Sequence, residues 1–205
     1  FLEYNLKVSN TDKLAPLVKD YYFCSSERVY QSIKIALKGD DFKNIDICLQ
    51  KNEYRKKKII ACDMDMTAIN IETINLIGKK ILKNNKMKEI TQKTMQGKID
   101  FKESILIRTK MLEGINIDDI ISLIPSINIT RGINNVIKTM NQNGCHTMLI
   151  SGGYNILADQ IGKIIGFKEI RSNKLEIKNN LLTGEIQENV IDKKAKMELF
   201  KKSII

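Results

Sequence analysis

The stretch KKKIIACDMDMTAIN, residues 56 to 70, joins a short apolar run to two aspartates that are separated by one methionine. Its IIAC segment, residues 59–62, is unbroken by polar residues, which is typical of a strand covered on both faces. Asp63 and Asp65 follow where that predicted strand ends. Carboxylates so close repel each other, and burial strengthens the repulsion. We therefore expect a compensating charge here, and we expect it to be part of the function.

From residue 58 onward, predicted strands alternate with predicted helices. TMLI, residues 147–150, is a second buried strand, and it ends at Ser151-Gly152-Gly153. The helix before it stops at Asn143-Gly144, and the helix after it closes at Gly166. The order strand, helix, strand, helix predicts an α/β fold with a parallel sheet in three layers.

Between Glu72 and about Asn128, four segments have helical patterns and none indicates a strand. They are IETINLIGKKIL, KMKEITQKTMQG, DFKESILIRTKMLEG and IDDIISLI. Helices inserted directly after the first strand of such a sheet predict a cap over an active site, at about residues 73–128. Further along, KLEIKNNLLTGEI, residues 174–186, predicts a β-hairpin that turns at Asn179-Asn180.

Residues 1–57 lack a catalytic motif, and we predict that they form a small α+β accessory domain before the core of residues 58–205. LAPLVKDYYF (14–23) and ERVYQSIKIALKGDD (27–41) have helical character, and NIDICLQ (44–50) could be a strand. The role of this domain stays open, with regulation, packing and formation of a homodimer all compatible with it.

Composition describes a globular protein that does not enter membranes. Hydrophobic residues make up 42% and charged residues 28% of the 205 positions, and no run approaches the ~18–20 apolar residues of a membrane span. No signal peptide opens the chain. The four cysteines show no C-x-x-C pairing, and Cys62 and Cys145 lie in strand-like runs, so we expect reduced, buried thiols and a cytoplasmic location. The single histidine, His146, makes zinc improbable.

The net charge of +10 raises the alternative of a basic nucleic-acid-binding module. Only five of the 34 basic residues are arginine, however, and aromatic residues make up 6%. This composition offers no arginine-rich or stacking platform. It favours a solvated, lysine-rich surface, with no nucleic-acid partner, that would also attract small anionic substrates.

Polar clusters follow both predicted strands, at the sheet edge where open α/β folds bind ligands. Because side chains alternate along a strand, Asp63 and Asp65 point the same general way, so one could attack as a nucleophile while the other moves a proton. A divalent cation would neutralise the pair, and carboxylate oxygens favour Mg²⁺. A solvated D-x-D at the start of a loop is the alternative for this pair.

Five further residues could take part in the same chemistry. Ser151 and Gly152 could donate hydrogen bonds to an oxyanion, or they could form an ordinary turn. Arg108 lies on an otherwise apolar helical face and could hold a carboxylate, while Glu72 could hold an ammonium. A surface ion pair is the alternative for each of the last two. Lys196, behind an Asp192 cap at a predicted helix start, is inconspicuous among so many lysines.

Together these segments resemble the haloacid dehalogenase superfamily of phosphotransferases, which has a Rossmann-type core, and within it most closely the phosphoserine phosphatase family. DMDMT fits the D-x-D-x-T motif, SGG the second motif, and Lys196 in AKMEL the lysine of the third. MQGKIDFKESILIRTKMLEG resembles the family's cap segment, and NKLEIKNNLLTGEI its later hairpin. The resemblance covers roughly residues 58 to 200, with the motifs in the family's order.

The resemblance implies a role for each of these residues. Asp63 would become a phosphoaspartate, and Asp65 would protonate the leaving serine oxygen and then activate water. Ser151, the Gly152 N–H and Lys196 would hold the phosphoryl oxygens. Mg²⁺ would bind the Asp63 carboxylate and the Asp65 main-chain carbonyl. The substrate, phosphoserine, would be gripped by Glu72 and Arg108, with Met95 and Phe101 lining the cap.

The chain departs from the family pattern at three places. Met66 replaces a common serine and Arg131 a common proline, and we expect neither change to matter. The fourth motif, G-D-G-x-x-D, which supplies the remaining acidic metal ligands, does not occur in residues 1–205. We expect it beyond Ile205, which makes the sequence a fragment that alone binds Mg²⁺ poorly and is nearly inactive. A related phosphatase with another small phosphorylated substrate remains the alternative within the superfamily.

Overall fold

The computed structural model of this protein describes residues 4–38, 44–53 and 55–203. The chain divides into two compact units, Phe1–Arg55 and Lys56–Ile205. This division lies two residues before the boundary that the sequence predicts.

The first unit contains a two-stranded hairpin and one helix. Strands β1 (Val8–Ala15) and β2 (Val18–Phe23) pair antiparallel across a tight turn. Helix α1 (Glu27–Ala36) begins after Ser26, whose hydroxyl oxygen accepts a hydrogen bond of 3.3 Å from the backbone N–H of Val29.

Two predictions for this unit are wrong. LAPLVKDYYF is not a helix, because Pro16 cannot continue one and instead forms the hairpin turn with Leu17, while the aromatic and β-branched residues that follow favour a strand. Residues 44–50 form no strand and are mostly exposed. The helix at residue 27 is confirmed, and its predicted extension over residues 39–41 lies outside the described residues.

The second unit is built on a parallel sheet, which confirms the predicted α/β class. Strands β3 (Ile59–Cys62), β4 (His146–Tyr154) and β5 (Glu169–Asn173) are ordered β3-β4-β5. The central strand is the best buried, with Met148 and Leu149 fully covered.

The outer strands of this sheet differ from expectation. The prediction that β3 is covered on both faces is wrong, because Ala61 is exposed. Within the described residues β3 is also an edge strand, since it pairs only with β4. Strand β5 was not predicted, since its polar sequence EIRSN lacks the apolar run that identified the other two.

Helix α6 (Ile133–Gln142) precedes the central strand and helix α7 (Asn155–Ile165) follows it, as predicted. Helix α7 packs against β4 and β5 and buries one apolar face that includes Leu157 and Ile161. It ends at Gly166, whose φ of 96° lies in the left-handed region. Residues with a Cβ atom rarely adopt this conformation.

Four α-helices lie between β3 and α6, and we call them the inserted helices: α2 (Thr73–Lys80), α3 (Lys86–Met95), α4 (Phe101–Lys110) and α5 (Ile117–Ile121). A short 3₁₀ turn, Ile124–Ser126, ends the insertion. The chain leaves and re-enters the core at one point, because the Asn70 N–H donates to the Asn128 carbonyl over 3.1 Å and Ile69 pairs with Ile129.

The last elements are a hairpin and a helix. Strands β6 (Leu175–Lys178) and β7 (Leu181–Ile186) turn at Asn179 and Asn180, which both have positive φ, as the predicted tight turn requires. Helix α8 (Lys193–Lys202) begins after Asp192. None of the helices in the described part of the chain has the length and apolar character that a bilayer crossing requires.

Candidate active site

The predicted site residues meet in one cavity of about 160 Å³ at the carboxyl ends of β3 and β4. The cavity is lined by every predicted site residue except Met95, namely Asp63, Asp65, Glu72, Phe101, Arg108, Ser151, Gly152 and Lys196. These residues come from the two strand ends, the inserted helices and α8, so tertiary folding brings together motifs that are far apart in the sequence.

Asp63 directly follows β3 and forms an ion pair with Lys196. Its Oδ1 accepts hydrogen bonds from the Met64 backbone N–H at 2.9 Å and from the Lys196 Nζ at 2.8 Å. Within the described residues, Oδ2 accepts no hydrogen bond, and the side chain is 51% exposed. One oxygen is therefore held in place while the other is free to react.

Asp65 is the buried member of the pair. Thr73 Oγ1 donates a hydrogen bond to its Oδ2 over 3.0 Å, and its Oδ1 is buried without a partner in the part of the chain that the structure describes. Burial, together with the neighbouring carboxylates of Glu72 and Asp63, raises the pKa of Asp65 to about 7. A carboxyl group with this pKa can give and take a proton near neutral pH.

The end of β4 presents a serine and an exposed backbone edge. Ser151 Oγ accepts a hydrogen bond of 2.9 Å from the Gly153 N–H, which leaves the hydroxyl proton of Ser151 for another acceptor. A Cβ at Gly152 would lie 3.0 Å from the Phe101 ring, so only glycine fits without displacing that ring.

Asn173 supports this strand end. Sequence reasoning missed it because it is the last residue of the unpredicted strand β5. Its Nδ2 donates to the Gly152 carbonyl at 2.8 Å, and its Oδ1 accepts from the Ile191 N–H at 2.7 Å. Asn173 is 2% exposed, and it ties the strand end to the segment that leads into α8 and Lys196.

Arg108 lies inside the inserted helices and is 6% exposed. Its Nε donates to the Ser104 carbonyl over 3.1 Å, and its Nη1 donates to Thr91 Oγ1 over 3.3 Å. Burial lowers the pKa of Arg108, while the carboxylates of Glu72 and Asp65 oppose that change. The guanidinium keeps further N–H groups for a ligand in the cavity.

Glu72 directly precedes α2 and lines the same cavity. Burial raises its pKa, and the positive charge of Arg108 acts in the opposite direction. The cavity thus contains a cation and an anion that are both held partly away from water, which favours a ligand with both charges.

Met95 is placed differently from the prediction that it lines the cap. It is the last residue of α3 and is 72% exposed, and it does not line the cavity. Met87 and Thr91 are the buried residues of α3, and Met95 continues their spacing of one turn. Because the helix ends at Met95, this side chain stays exposed.

Asp63 and Asp65 are the metal ligands that the sequence predicts. Asp63 and Asp65 supply oxygen atoms, which Mg²⁺ prefers. Within the described residues, no group of three or more His, Cys, Asp or Glu side chains could hold a metal ion.

Known phosphoserine phosphatases resemble this chain in sequence and in fold. No family model matches it. Phosphoserine phosphatase of Lactococcus lactis is 33% identical over 71% of the chain and 67% of its own length. Phosphoserine phosphatase of Methanocaldococcus jannaschii is 32% identical over 72% of the chain and 70% of its own length. A solved structure described as a phospho-aspartyl intermediate analogue of phosphoserine phosphatase superposes with a TM-score of 0.65 and 32% identity, over 73% of this chain and 71% of that one.

Proposed function

The chain belongs to the phosphoserine phosphatase family, and we propose that it hydrolyses O-phospho-L-serine to L-serine and phosphate, the last step of serine biosynthesis. One observation carries this proposal: the cavity holds a nucleophile with phosphate-binding groups together with the oppositely charged Glu72 and Arg108. Phosphoserine has a phosphate, an ammonium and a carboxylate, so each group of the substrate has a matching partner.

Asp63 is the proposed nucleophile. Its Oδ2 attacks phosphorus, the bond from phosphorus to the serine oxygen breaks, and the bonding electrons go to that oxygen. Asp65 gives its proton to the leaving oxygen, which its pKa of about 7 permits. The products of this half-reaction are L-serine and a phosphoaspartate at Asp63.

The second half-reaction regenerates the enzyme. Asp65, now ionised, takes a proton from a water molecule, the water oxygen attacks phosphorus, and the bond to Asp63 breaks. Phosphate leaves, and both carboxyl groups return to their starting states. One residue thus serves as acid and then as base, which requires a pKa near the working pH.

The phosphoryl oxygens are held by groups that still have hydrogen-bond donors to offer. Ser151 receives its internal hydrogen bond through its oxygen and so can donate its proton. Lys196 directs one N–H at Asp63 and keeps two others. Together with the Gly152 N–H, these donors would stabilise the charge that spreads over the phosphoryl group during transfer.

The inserted helices form the proposed cap. Arg108 would bind the substrate carboxylate, Glu72 would bind its ammonium, and Phe101 would close the cavity over Gly152, which its ring approaches closely. Burial supports this role, since charged groups held away from water discriminate strongly between ligands.

Mg²⁺ is the cofactor that membership in the family implies. The partnerless, buried Asp65 Oδ1 and the hard oxygens of the pair fit it, although two residues alone do not complete a site within the described residues. The Asp63 carboxylate and the Asp65 main-chain carbonyl would hold the ion, and when bound it would neutralise charge on the carboxylates and the phosphoryl group. The acidic ligand expected beyond Ile205 stays a prediction.

Two further expectations also stay predictions. All four cysteines, Cys24, Cys48, Cys62 and Cys145, are free, which supports a reducing compartment such as the cytoplasm. Formation of a homodimer also stays a prediction.

Phosphate release with Mg²⁺ present tests the proposed function, in a protein that also carries the acidic segment predicted beyond Ile205. All variants tested for turnover or ligand binding are made in that protein. We expect hydrolysis of phosphoserine, and much slower hydrolysis of phosphoethanolamine, which lacks the carboxylate. The Asp63→Asn variant should release no phosphate from either compound. Equal rates with the two compounds would contradict the assigned substrate, and near-normal turnover by Asp63→Asn would contradict the assigned nucleophile.

A further inference from the structure

A buried hydrogen bond joins the phosphate side of the cavity to the inserted helices. The Tyr154 hydroxyl, at the end of β4, lies 2.8 Å from Thr109 Oγ1 in helix α4. Tyr154 is 3% exposed and Thr109 is fully buried, so water does not compete for this bond. Neither residue is among the site residues that the sequence predicts.

The direction of this bond follows from the neighbouring contacts. Thr109 has one hydroxyl proton, and it donates that proton to the Ile105 carbonyl over 2.7 Å. Tyr154 must therefore donate its proton to Thr109. Burial raises the pKa of Tyr154 to about 12, so the phenol stays protonated and the bond persists at any working pH.

Both partners are adjacent to residues of the proposed substrate site. Thr109 directly follows Arg108, and Tyr154 follows the phosphate-binding segment Ser151-Gly152. Helix α4 also touches this strand end through Phe101, which lies against Gly152. The helix is thus held to β4 at two places, one before and one after Arg108.

The other contacts of Arg108 cannot fix its distance from the phosphate. Its hydrogen bonds go to Ser104 and Thr91, which both belong to the inserted helices. The end of α4 is also tied to the hairpin, through the hydrogen bond of 2.8 Å from the Gly114 N–H to the Leu182 carbonyl. That contact supports the helix without linking it to β4.

We propose that the hydrogen bond between Tyr154 and Thr109 positions Arg108 relative to Ser151 and Gly152, and thereby selects a phosphate ester that also has a carboxylate at the spacing found in phosphoserine. The inference rests on the proposed function. Tyr154 and Thr109 are positioning residues, because they act through Arg108.

Binding of two ligands tests this proposal. Every protein in the experiment has the Asp63→Asn change, so that it binds without turnover, and titration calorimetry with Mg²⁺ present measures Kd for phosphoserine and for phosphoethanolamine. Relative to this background, Tyr154→Phe and Thr109→Val should each raise Kd for phosphoserine roughly three- to tenfold, the usual value of one buried hydrogen bond. Kd for phosphoethanolamine should change less than twofold.

Three controls separate positioning from general damage. The double variant should bind phosphoserine no more weakly than either single variant, because both changes remove the same bond. Thr109→Ser keeps the hydroxyl and should bind phosphoserine as the background does. Tyr30→Phe, a matched change in the first unit, should have no effect. Melting curves of all variants verify that they are folded.

The outcomes are distinct. An equal rise in Kd for both ligands, or no rise for phosphoserine, would overturn the positioning role while leaving the proposed function intact. If the background protein itself binds the two ligands equally well, the proposed function fails, and this inference fails with it.

Discussion

The cavity has two halves, and the cations of these halves differ in their access to water. The strand-end half consists of Asp63, Asp65, Ser151, Gly152 and Lys196. The helical half consists of Glu72, Phe101 and Arg108. In the strand-end half, the ion pair of Asp63 and Lys196 has side chains that are 51% and 29% exposed, whereas Arg108 in the helical half is 6% exposed.

This difference separates chemistry from recognition. A partly solvated ion pair is weak, so Lys196 can exchange its contact with Asp63 for the phosphoryl oxygens at little cost. A guanidinium held away from water binds a carboxylate strongly and penalises a ligand that leaves it unpaired. We therefore expect changes in the strand-end half to alter rates for all substrates, and changes in the helical half to alter the choice of substrate.

The largest effect is expected in the strand-end half, from Lys196→Met. This change removes a cation from the position where charge builds up during transfer, so kcat should fall about 10²- to 10³-fold for phosphoserine and phosphoethanolamine alike. Steady-state phosphate release measures it. Lys201→Met, in the exposed last turn of the same helix, is the matched control and should keep wild-type rates. A fall for phosphoserine alone would assign Lys196 to recognition.

The pH dependence of the free energy of unfolding tests whether Asp65, in the strand-end half, is held away from water as Arg108 is in the helical half. Because the pKa of Asp65 rises from 3.8 to about 7 on folding, the folded protein binds a proton that the unfolded chain releases between these values. The free energy of unfolding should thus fall as pH rises, by about 2–3 kcal/mol from pH 5 to pH 7 through this group. Asp65→Asn should abolish that part of the slope.

Urea denaturation at pH 5, 6 and 7 with EDTA measures this pH dependence for the wild type and for Asp65→Asn. The exposed Asp46→Asn in the first unit serves as control and should keep the wild-type slope. Parallel slopes for the wild type and Asp65→Asn would show that the Asp65 carboxyl is not desolvated in the folded protein.

A smaller effect, limited to one substrate, is expected in the helical half from Arg108→Met. It should raise KM for phosphoserine roughly 10- to 100-fold, the usual value of a charged hydrogen bond, and leave KM for phosphoethanolamine within about twofold. Met95→Ala, at the exposed end of α3, is the matched control in the inserted helices and should change neither KM. A large effect of Met95→Ala would restore Met95 to the substrate site.

The two halves also differ in how far the sequence predicts them. The strand-end half follows from local pattern, because an apolar run places the next polar residue at the sheet edge, as it does for Asp63 and Ser151. The same logic located the helices around β4 and the hairpin at Asn179-Asn180. It failed for β5, whose polar residues lack the pattern, and with it for Asn173.

The helical half depends on packing that local pattern does not contain. The family resemblance assigns Met95 to the cap lining, but it does not reveal that Met95 is the last residue of α3 and stays exposed. The bond between Tyr154 and Thr109 joins residues 45 positions apart, and neither residue type suggests the other. In the first unit, residues 14–23 have helical character in their sequence, but Pro16 places a hairpin turn there instead of a helix.

The phosphoaspartate is the most direct test of the central claim that Asp63 attacks phosphorus. The protein is mixed with phosphoserine and Mg²⁺, quenched in acid within the first turnover, digested, and analysed by mass spectrometry. We predict a phosphate on the peptide that contains Asp63, with fragment ions that assign it to that residue, and none in the Asp63→Asn variant. Release of phosphate without this adduct, or an adduct on Asp65 instead, would contradict the account.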